Sequence, residues 1–264
     1  MKKYHLISAA LCLLALLAVS NSVFAHYVSV TTDNYHPQTG EEVTIQIGWG
    51  HKFPGDGEMR KEGYQHTNIE IIDPMGAKKS IAILPREEKG NEPIKVKFAE
   101  QGVYTILISQ KQFSTKTAKG YKYLPKDQLD HVIHSRWSET VSKTIVNAGP
   151  VDLSFNSSKT DTTDRFQIIP LKNPLMLEKG EILPVKVTLD GEPWGGMVCA
   201  TYAGFSDMED TFAYTTKADK EGIARIKILE KGLWLIKADH AYPYEDPKKA
   251  DEYSLKVTLT FNNN

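Results

Sequence analysis

The chain has 264 residues, with 32 basic and 33 acidic side chains. Its first 25 residues have the features of a cleaved secretory signal: Lys2 and Lys3, an apolar stretch over residues 6–19, and a small-residue site ending at Ala25. Removing this segment would leave 239 residues and 30 basic side chains against the 33 acidic ones. That balance argues against nucleic acid or an anionic membrane surface as a partner. No later apolar run is long enough to cross a bilayer, so we expect a periplasmic chain without membrane insertion.

From Tyr27 onward, short runs rich in Val, Ile, Thr and Tyr alternate with Gly, Pro, Asn and Asp. This pattern predicts an all-β protein with two tandem immunoglobulin-like sandwich domains, over residues 26–150 and 151–264, after the signal at residues 1–25. Asp190-Gly191 predicts a hairpin turn. Strands are predicted over residues 27–32, 43–47, 68–72, 80–84, 94–98, 103–109 and 144–147 in the first domain, and over residues 166–169, 183–189, 197–202, 211–215, 223–229, 233–238 and 254–261 in the second.

Two long loops interrupt the first domain, and long loops in compact β domains are usually functional or disordered. The first begins at residue 48 and carries His51 and His66, with Asp56 and Glu58 between them. The second covers residues 110–140 and carries His131 and His134. Weak helical periodicity over residues 126–136 predicts that these two histidines share one helix face.

Cleavage after Ala25 would make His26 the first residue of the mature chain. Its free amine and its imidazole could then chelate a transition metal together, because borderline-soft cations favour nitrogen ligands. In a seven-strand sandwich the first strand begins at the end of the domain where both long loops are expected. The topology therefore predicts that His26 converges with some of His51, His66, His131 and His134, although exposed loop histidines can equally face solvent.

Two further residues have less specific interpretations. His240 ends a predicted strand before an aromatic, acidic loop, and it is either an interdomain ligand or a capping residue. Cys12 lies in the signal, which leaves Cys199 as the single cysteine of the mature chain. One cysteine cannot form an intrachain disulfide and excludes a multi-cysteine zinc motif. Its position in Val198-Cys199-Ala200 predicts a buried thiol.

Several motifs give the sequence a family resemblance. They are the signal followed directly by His26, Gly50-His51-Lys52-Phe53-Pro54, residues 169–174, 190–193, 219–222, 232–236 and 238–240, and the closing run over residues 253–261. With these motifs the chain resembles the NikM-type periplasmic components associated with nickel and cobalt uptake. The resemblance implies a metal-binding periplasmic protein that works with a membrane transporter subunit. It makes His26, His51 and His240 the ligand positions carried over from the family.

Three functions follow, and the first is favoured. It is a non-catalytic binding or delivery protein for nickel or cobalt, with copper or zinc as possible metals, because nitrogen ligands suit all four ions. The second is a copper-dependent oxidative enzyme that uses His26 and another histidine. The third is a protein- or carbohydrate-binding sandwich, since fold does not determine function. No serine-hydrolase or zinc-protease motif is present in the sequence, which favours a protein that is not an enzyme.

Overall fold

The computed structural model describes residues 26–150, 155–162 and 164–264. The predicted signal at residues 1–25 lies outside the described residues. The sixteen strands in the described ranges are β1 (Tyr27–Thr32), β2 (Glu42–Gly50), β3 (Thr67–Ile72), β4 (Lys78–Ile81), β5 (Ile94–Lys97), β6 (Gly102–Thr117), β7 (Gly120–Lys122), β8 (Val132–Ala148), β9 (Phe166–Pro170), β10 (Ile182–Leu189), β11 (Glu192–Pro193), β12 (Met197–Tyr202), β13 (Tyr214–Lys217), β14 (Ile223–Lys227), β15 (Leu233–Pro243) and β16 (Glu252–Asn262).

In the described ranges, helical structure is limited to single turns. The α-helix α1 covers Lys61–Tyr64, and 3₁₀ turns cover Lys126–Gln128, Ser157–Thr160 and Pro174–Met176. None of the helices in the described ranges is long and apolar enough to cross a membrane.

The strands form three sheets, and the largest contains strands from both halves of the chain. Nine strands make the central sheet, in the order β13-β12-β15-β16-β8-β6-β3-β4 with β7 beside β6. A three-stranded sheet, β1-β2-β5, belongs to the first half, and a four-stranded sheet of β9, β10, β11 and β14 belongs to the second. The predicted all-β fold of two immunoglobulin-like sandwiches is confirmed, and the two sandwiches share the central sheet.

The smaller sheets pack on opposite faces of the central sheet. Val146 and Ala148 of β8 belong to the core with the three-stranded sheet, whereas Val141 and Ile145 belong to the core with the four-stranded sheet. Successive residues of a strand point to opposite faces, so β8 contributes to both cores at once. Pairing between β8 and β16 also crosses residue 150, the predicted domain boundary. The division at that residue stays a prediction.

The predicted loop over residues 110–140 is wrong. Strands β6 and β8 extend into it and pair along their whole length, from Gly102↔Ala148 to Thr117↔Val132. The predicted helix over residues 126–136 is reduced to the 3₁₀ turn at Lys126–Gln128, followed by the start of β8. Polar residues such as Gln110, Gln112 and Ser135 are buried in this pairing, and local periodicity does not reveal their pairing partners.

Cys199 is also less buried than predicted. It lies on β12 as expected. Val198 and Ala200 on either side of it are fully buried in the core with the four-stranded sheet. Cys199 itself points to the opposite face and is half-buried. Burial raises the pKa of its thiol, so the side chain is a neutral thiol at neutral pH.

Candidate functional site

His26 lies directly before strand β1, and side chains of β16 determine where β1 lies. The hydroxyl of Thr258 donates to the carbonyl of Val28 at 2.8 Å, and the Thr260 hydroxyl donates to the carbonyl of Val30. In the same register, Lys256 Nζ donates to the carbonyl of His26 at 3.0 Å. Three side chains two residues apart on β16 thus bond the carbonyls of His26, Val28 and Val30, of which the last two are on β1. This ladder places His26 above the central sheet.

His51 lies beside His26 because β2 pairs with β1 up to Tyr27↔Gly50. The ring centroids of His26 and His51 are 4.4 Å apart with an interplanar angle of 46°. The His26 ring also stacks on Trp49, with centroids 5.1 Å apart and planes 10° from parallel. The His26 ring therefore contacts both an indole and a second imidazole.

The loop after β2 is closed tightly around His51. Asp56 Oδ1 accepts the backbone N–H of His51 at 3.0 Å, and Gly57 N–H donates to the carbonyl of Trp49 at 3.0 Å. Gly50 has φ 134°, and a Cβ there would lie 1.6 Å from Asp56 Oδ1. Glycine at position 50 therefore allows the close approach that fixes His51.

A small apolar cluster supports the site from below. Tyr27, Phe53 and Leu235 are buried together, and Phe212 and Leu233 pack against them. The cluster joins β1, the loop after β2, and two parts of the second half of the chain. It anchors the His51 loop over β1 by burying Phe53.

Asp210 reaches the site from the segment between β12 and β13. Its Oδ2 lies 3.0 Å from His51 Nδ1, and its backbone N–H donates to the carbonyl of His51 at 2.9 Å. Both side chains retain 16 % of their exposure. The site is therefore built from both halves of the chain.

Burial and nearby charged groups both affect the pKa of His26. Burial lowers the pKa of His26, and nearby His51 and Lys256 lower it further, while Asp56 and Asp210 raise it. Burial also lowers the pKa of Lys256 to about 7, so this lysine is only partly charged at neutral pH. An imidazole with a lowered pKa is neutral at pH 7, which is the form that binds metals.

Among the described residues, no three His, Cys, Asp or Glu side chains are grouped so that they could hold a metal ion. His26 and His51 supply two imidazoles, so a third ligand would have to be the amine that cleavage after Ala25 would free. The expected convergence of further histidines at this site is not seen.

His66, His131 and His134 lie in other surroundings. His66 packs on Tyr123 with centroids 5.8 Å apart, and exposed His131 has φ 54° just before β8. His134 is on β8, with Nε2 3.2 Å from Glu252 Oε1. Glu252 is four residues from Lys256 on β16, roughly 13 Å along an extended strand, which separates His134 from His26. His131 and His134 share no helix face because β8 replaces the predicted helix.

His240 lies on the face of the central sheet opposite to His26. His240 pairs with Leu255, whose side chain belongs to the core with the four-stranded sheet. The next residue, Lys256, points to the other face of the sheet and contacts His26. The His240 ring packs against Trp194 and Tyr242 at 5.9 and 5.4 Å. Burial and Arg165 lower the pKa of His240. The central sheet therefore separates His240 from the pair.

Sequence reasoning missed Trp49, Asp210 and Lys256. The alternation of residues 255–261 does place Lys256 with Thr258 and Thr260 on one face of a strand, which was a usable signal. Asp210 lies 159 residues from His51, and no local spacing connects the two.

The model of a domain family of unknown function, DUF4198, matches residues 23–242. The chain belongs to the DUF4198 family. The match includes both histidines of the pair and Asp210, and it ends before Lys256. No curated protein matches the chain.

Solved structures resemble the chain only distantly. The D0-D1 domain of intimin is 12% identical with a TM-score of 0.22, and the match covers 90% of this chain and 100% of that one. A DUF4785 family protein from Legionella pneumophila is 10% identical with a TM-score of 0.28, over 82% and 52% of the two chains. Three N-terminal domains of the outer capsid protein Hoc from bacteriophage RB49 are 12% identical with a TM-score of 0.20, over 89% and 59%. At these TM-scores the resemblance carries no argument about function.

Proposed function

We propose that the mature protein binds one transition-metal ion through the amine and imidazole of His26 and the imidazole of His51. The observation that carries this proposal is the 4.4 Å separation of the two rings at the residue that would follow the signal. Two imidazoles and an amine form a nitrogen donor set suited to nickel, cobalt, copper or zinc.

We further propose that the protein is a periplasmic binding or delivery protein for nickel or cobalt that acts with a membrane uptake system. The choice of metal and partner rests on the resemblance to NikM-type proteins. His26 is exposed, and its ring contacts both Trp49 and His51. An ion bound at an exposed residue is accessible to a partner, which suits transfer better than permanent storage.

A copper-dependent oxidative enzyme is the second candidate, because the same pair supports it. Copper binds nitrogen ligands more tightly than nickel, cobalt or zinc does. Peroxide consumption by the copper-loaded protein with a reductant would favour this candidate. Absence of such consumption, together with binding of nickel or cobalt, would favour delivery.

The test is native mass spectrometry of protein that begins at His26, titrated separately with Ni²⁺, Co²⁺, Cu²⁺ and Zn²⁺. We expect one ion per chain, and much weaker binding when an extra Met precedes His26. Loss of a residue that hydrogen-bonds to a metal ligand typically weakens metal affinity by roughly 10–100-fold. His51→Ala removes a ligand itself, so it should weaken binding by at least that factor. His134→Ala is the matched control and should bind like the wild type, because its ring contacts Glu252 instead.

Fluorescence gives a second, local measurement. The indole of Trp49 stacks on His26, so Cu²⁺ or Ni²⁺ bound there should quench its emission. Trp49→Phe should remove most of the metal-dependent quenching while leaving the stoichiometry at one. Absence of metal binding by the processed protein, or equal binding by the Met-extended form, would refute the proposed site.

A further inference from the structure

Asp210 contacts His51 at two points. Its carboxylate lies against the imidazole Nδ1 and its backbone N–H bonds the carbonyl of the same residue. The two contacts fix both the side chain and the backbone of His51 relative to the second half of the chain.

The conformation of Asp210 is unfavourable by itself. Its φ is 49°, in the left-handed region that residues other than glycine seldom occupy. Its second carboxylate oxygen, Oδ1, is buried and has no hydrogen-bond partner among the described residues. Strained backbone and an unpaired buried oxygen tend to occur at functional positions.

The contact also determines which nitrogen of His51 is free. A carboxylate at Nδ1 accepts a hydrogen bond from Nδ1–H, so the neutral ring carries its proton on Nδ1 and its lone pair on Nε2. Metal-binding histidines commonly donate their other ring nitrogen to a carboxylate in this way.

We infer that Asp210 is a positioning residue that holds His51 in the Nδ1–H tautomer and leaves Nε2 as the metal-binding nitrogen. This inference rests on the proposed function. It also makes the metal site depend on both halves of the chain, since the carboxylate comes from the segment between β12 and β13.

The test uses Asp210→Asn and Asp210→Ala in protein that begins at His26. Asparagine tolerates the left-handed backbone, and the backbone hydrogen bond to His51 is kept, so this variant removes mainly the carboxylate charge. Asp207→Asn is the matched control, because Asp207 is an exposed acid in the same segment. If Asp210→Ala fails to fold, Asp210→Asn carries the test.

The first measurement is the ¹⁵N chemical shifts of the His51 ring in metal-free protein. We expect a protonated Nδ1 and an unprotonated Nε2 in the wild type and in Asp207→Asn, and a mixture of tautomers in Asp210→Ala. The second measurement is Ni²⁺ and Cu²⁺ affinity. Asp210→Asn should weaken it by roughly 10–100-fold, with Asp207→Asn unchanged.

The outcomes separate the two proposals. If the wild type binds metal, unchanged affinity in Asp210→Asn or unchanged ring shifts in Asp210→Ala would overturn the role of Asp210 and leave the metal site standing. Absence of metal binding by the wild type would overturn both, even if the ring shifts show the expected tautomer.

Discussion

At the scale of single residues, the site depends on close approaches around His26 and His51. The His26 ring contacts Trp49 and His51, Asp56 bonds the backbone of His51, and Asp210 bonds its ring. The histidines were recognisable from the sequence because their residue type carries the chemistry. Their supporting residues were not, since a carboxylate or an indole has many roles in other proteins.

We predict that Gly50→Ala disrupts the site. A Cβ there would overlap Asp56 Oδ1, and the φ of 134° is unfavourable for alanine. The loop must therefore shift, and His51 moves with it. We expect metal affinity to fall about 10-fold or more, as when a supporting partner is lost.

Gly57→Ala is the matched control for this prediction. Its added Cβ would have its nearest neighbour, the carbonyl of Trp49, at an ordinary 3.6 Å. Calorimetric titration with Ni²⁺ compares the two variants. Equal affinities would show that the close packing at Gly50 does not position His51.

At the scale of elements, the ladder from β16 to β1 decides where the candidate site lies. It uses the outward carbonyls of an edge strand, which would otherwise need water or another strand. Thr258 donates to Val28 O and also bonds the Ser142 hydroxyl at 2.7 Å, while Ser142 accepts the N–H of Val30. Polar side chains of β8 and β16 thus connect the central sheet to β1, the edge strand of the three-stranded sheet.

We predict that Thr258→Val destabilises the fold by about 1–3 kcal/mol. The substitution keeps the shape but leaves the buried carbonyl of Val28 without its donor. Urea unfolding at neutral pH measures the change in the free energy of unfolding. Thr216→Val on β13 is the control, because Thr216 is half-buried and outside the ladder, and it should change stability by no more than about 0.5 kcal/mol.

The paired strands β6 and β8 show where strand prediction from local residue patterns fails. Both strands continue beyond the sandwich cores with Ser, Lys, Gln and Thr, which also compose loops. What makes these residues strands is mutual pairing over a long register, and pairing is not a local property. Strand β1, with its continuous β-branched and apolar run, was predicted with correct bounds.

At the scale of the whole molecule, the shared central sheet couples the two halves. Val103 and Leu107 of β6 belong to the same core as Phe166 and Val185 from the second half. Strands β8 and β16 pair in parallel over nine residues, from Arg136 to Thr144 on β8.

We therefore predict one cooperative thermal unfolding transition. Neither sandwich can open its side of the central sheet without exposing the apolar surface of the other. Differential scanning calorimetry should give equal calorimetric and van't Hoff enthalpies. Two separate transitions would instead support independent domains on either side of residue 150.

Lys143 gives this core a distinct pH dependence. It is fully buried on β8, and its Nζ donates to the carbonyl of Thr160 at 2.6 Å. Burial lowers its pKa to about 8 from 10.5, against the opposing effect of Asp164 and Asp161. Between pH 8 and 10.5 the unfolded chain binds a proton that the folded chain has released. This contribution to stability therefore rises with pH across that window and is lost as pH falls through about 8.

We predict that Lys143→Met removes this dependence. Relative to the variant, the wild-type free energy of unfolding should rise by about 3 kcal/mol between pH 7 and pH 11. Urea unfolding at a series of pH values measures the difference. Exposed Lys97→Met on β5 is the control and should run parallel to the wild type; a parallel curve for Lys143→Met would contradict the prediction.

The sequence by itself determined the fold class and most strand positions, and it marked His26 and His51 as candidate nitrogen ligands. Alternating apolar residues and turn chemistry are local signals, so they can be read without coordinates. Only the tertiary structure decided which histidines meet. It separated His240 from the pair by a sheet, placed His66, His131 and His134 in other surroundings, and brought Asp210 to His51. Such contacts depend on strand order and on which face of a sheet a residue occupies, and a one-residue change in register reverses the face.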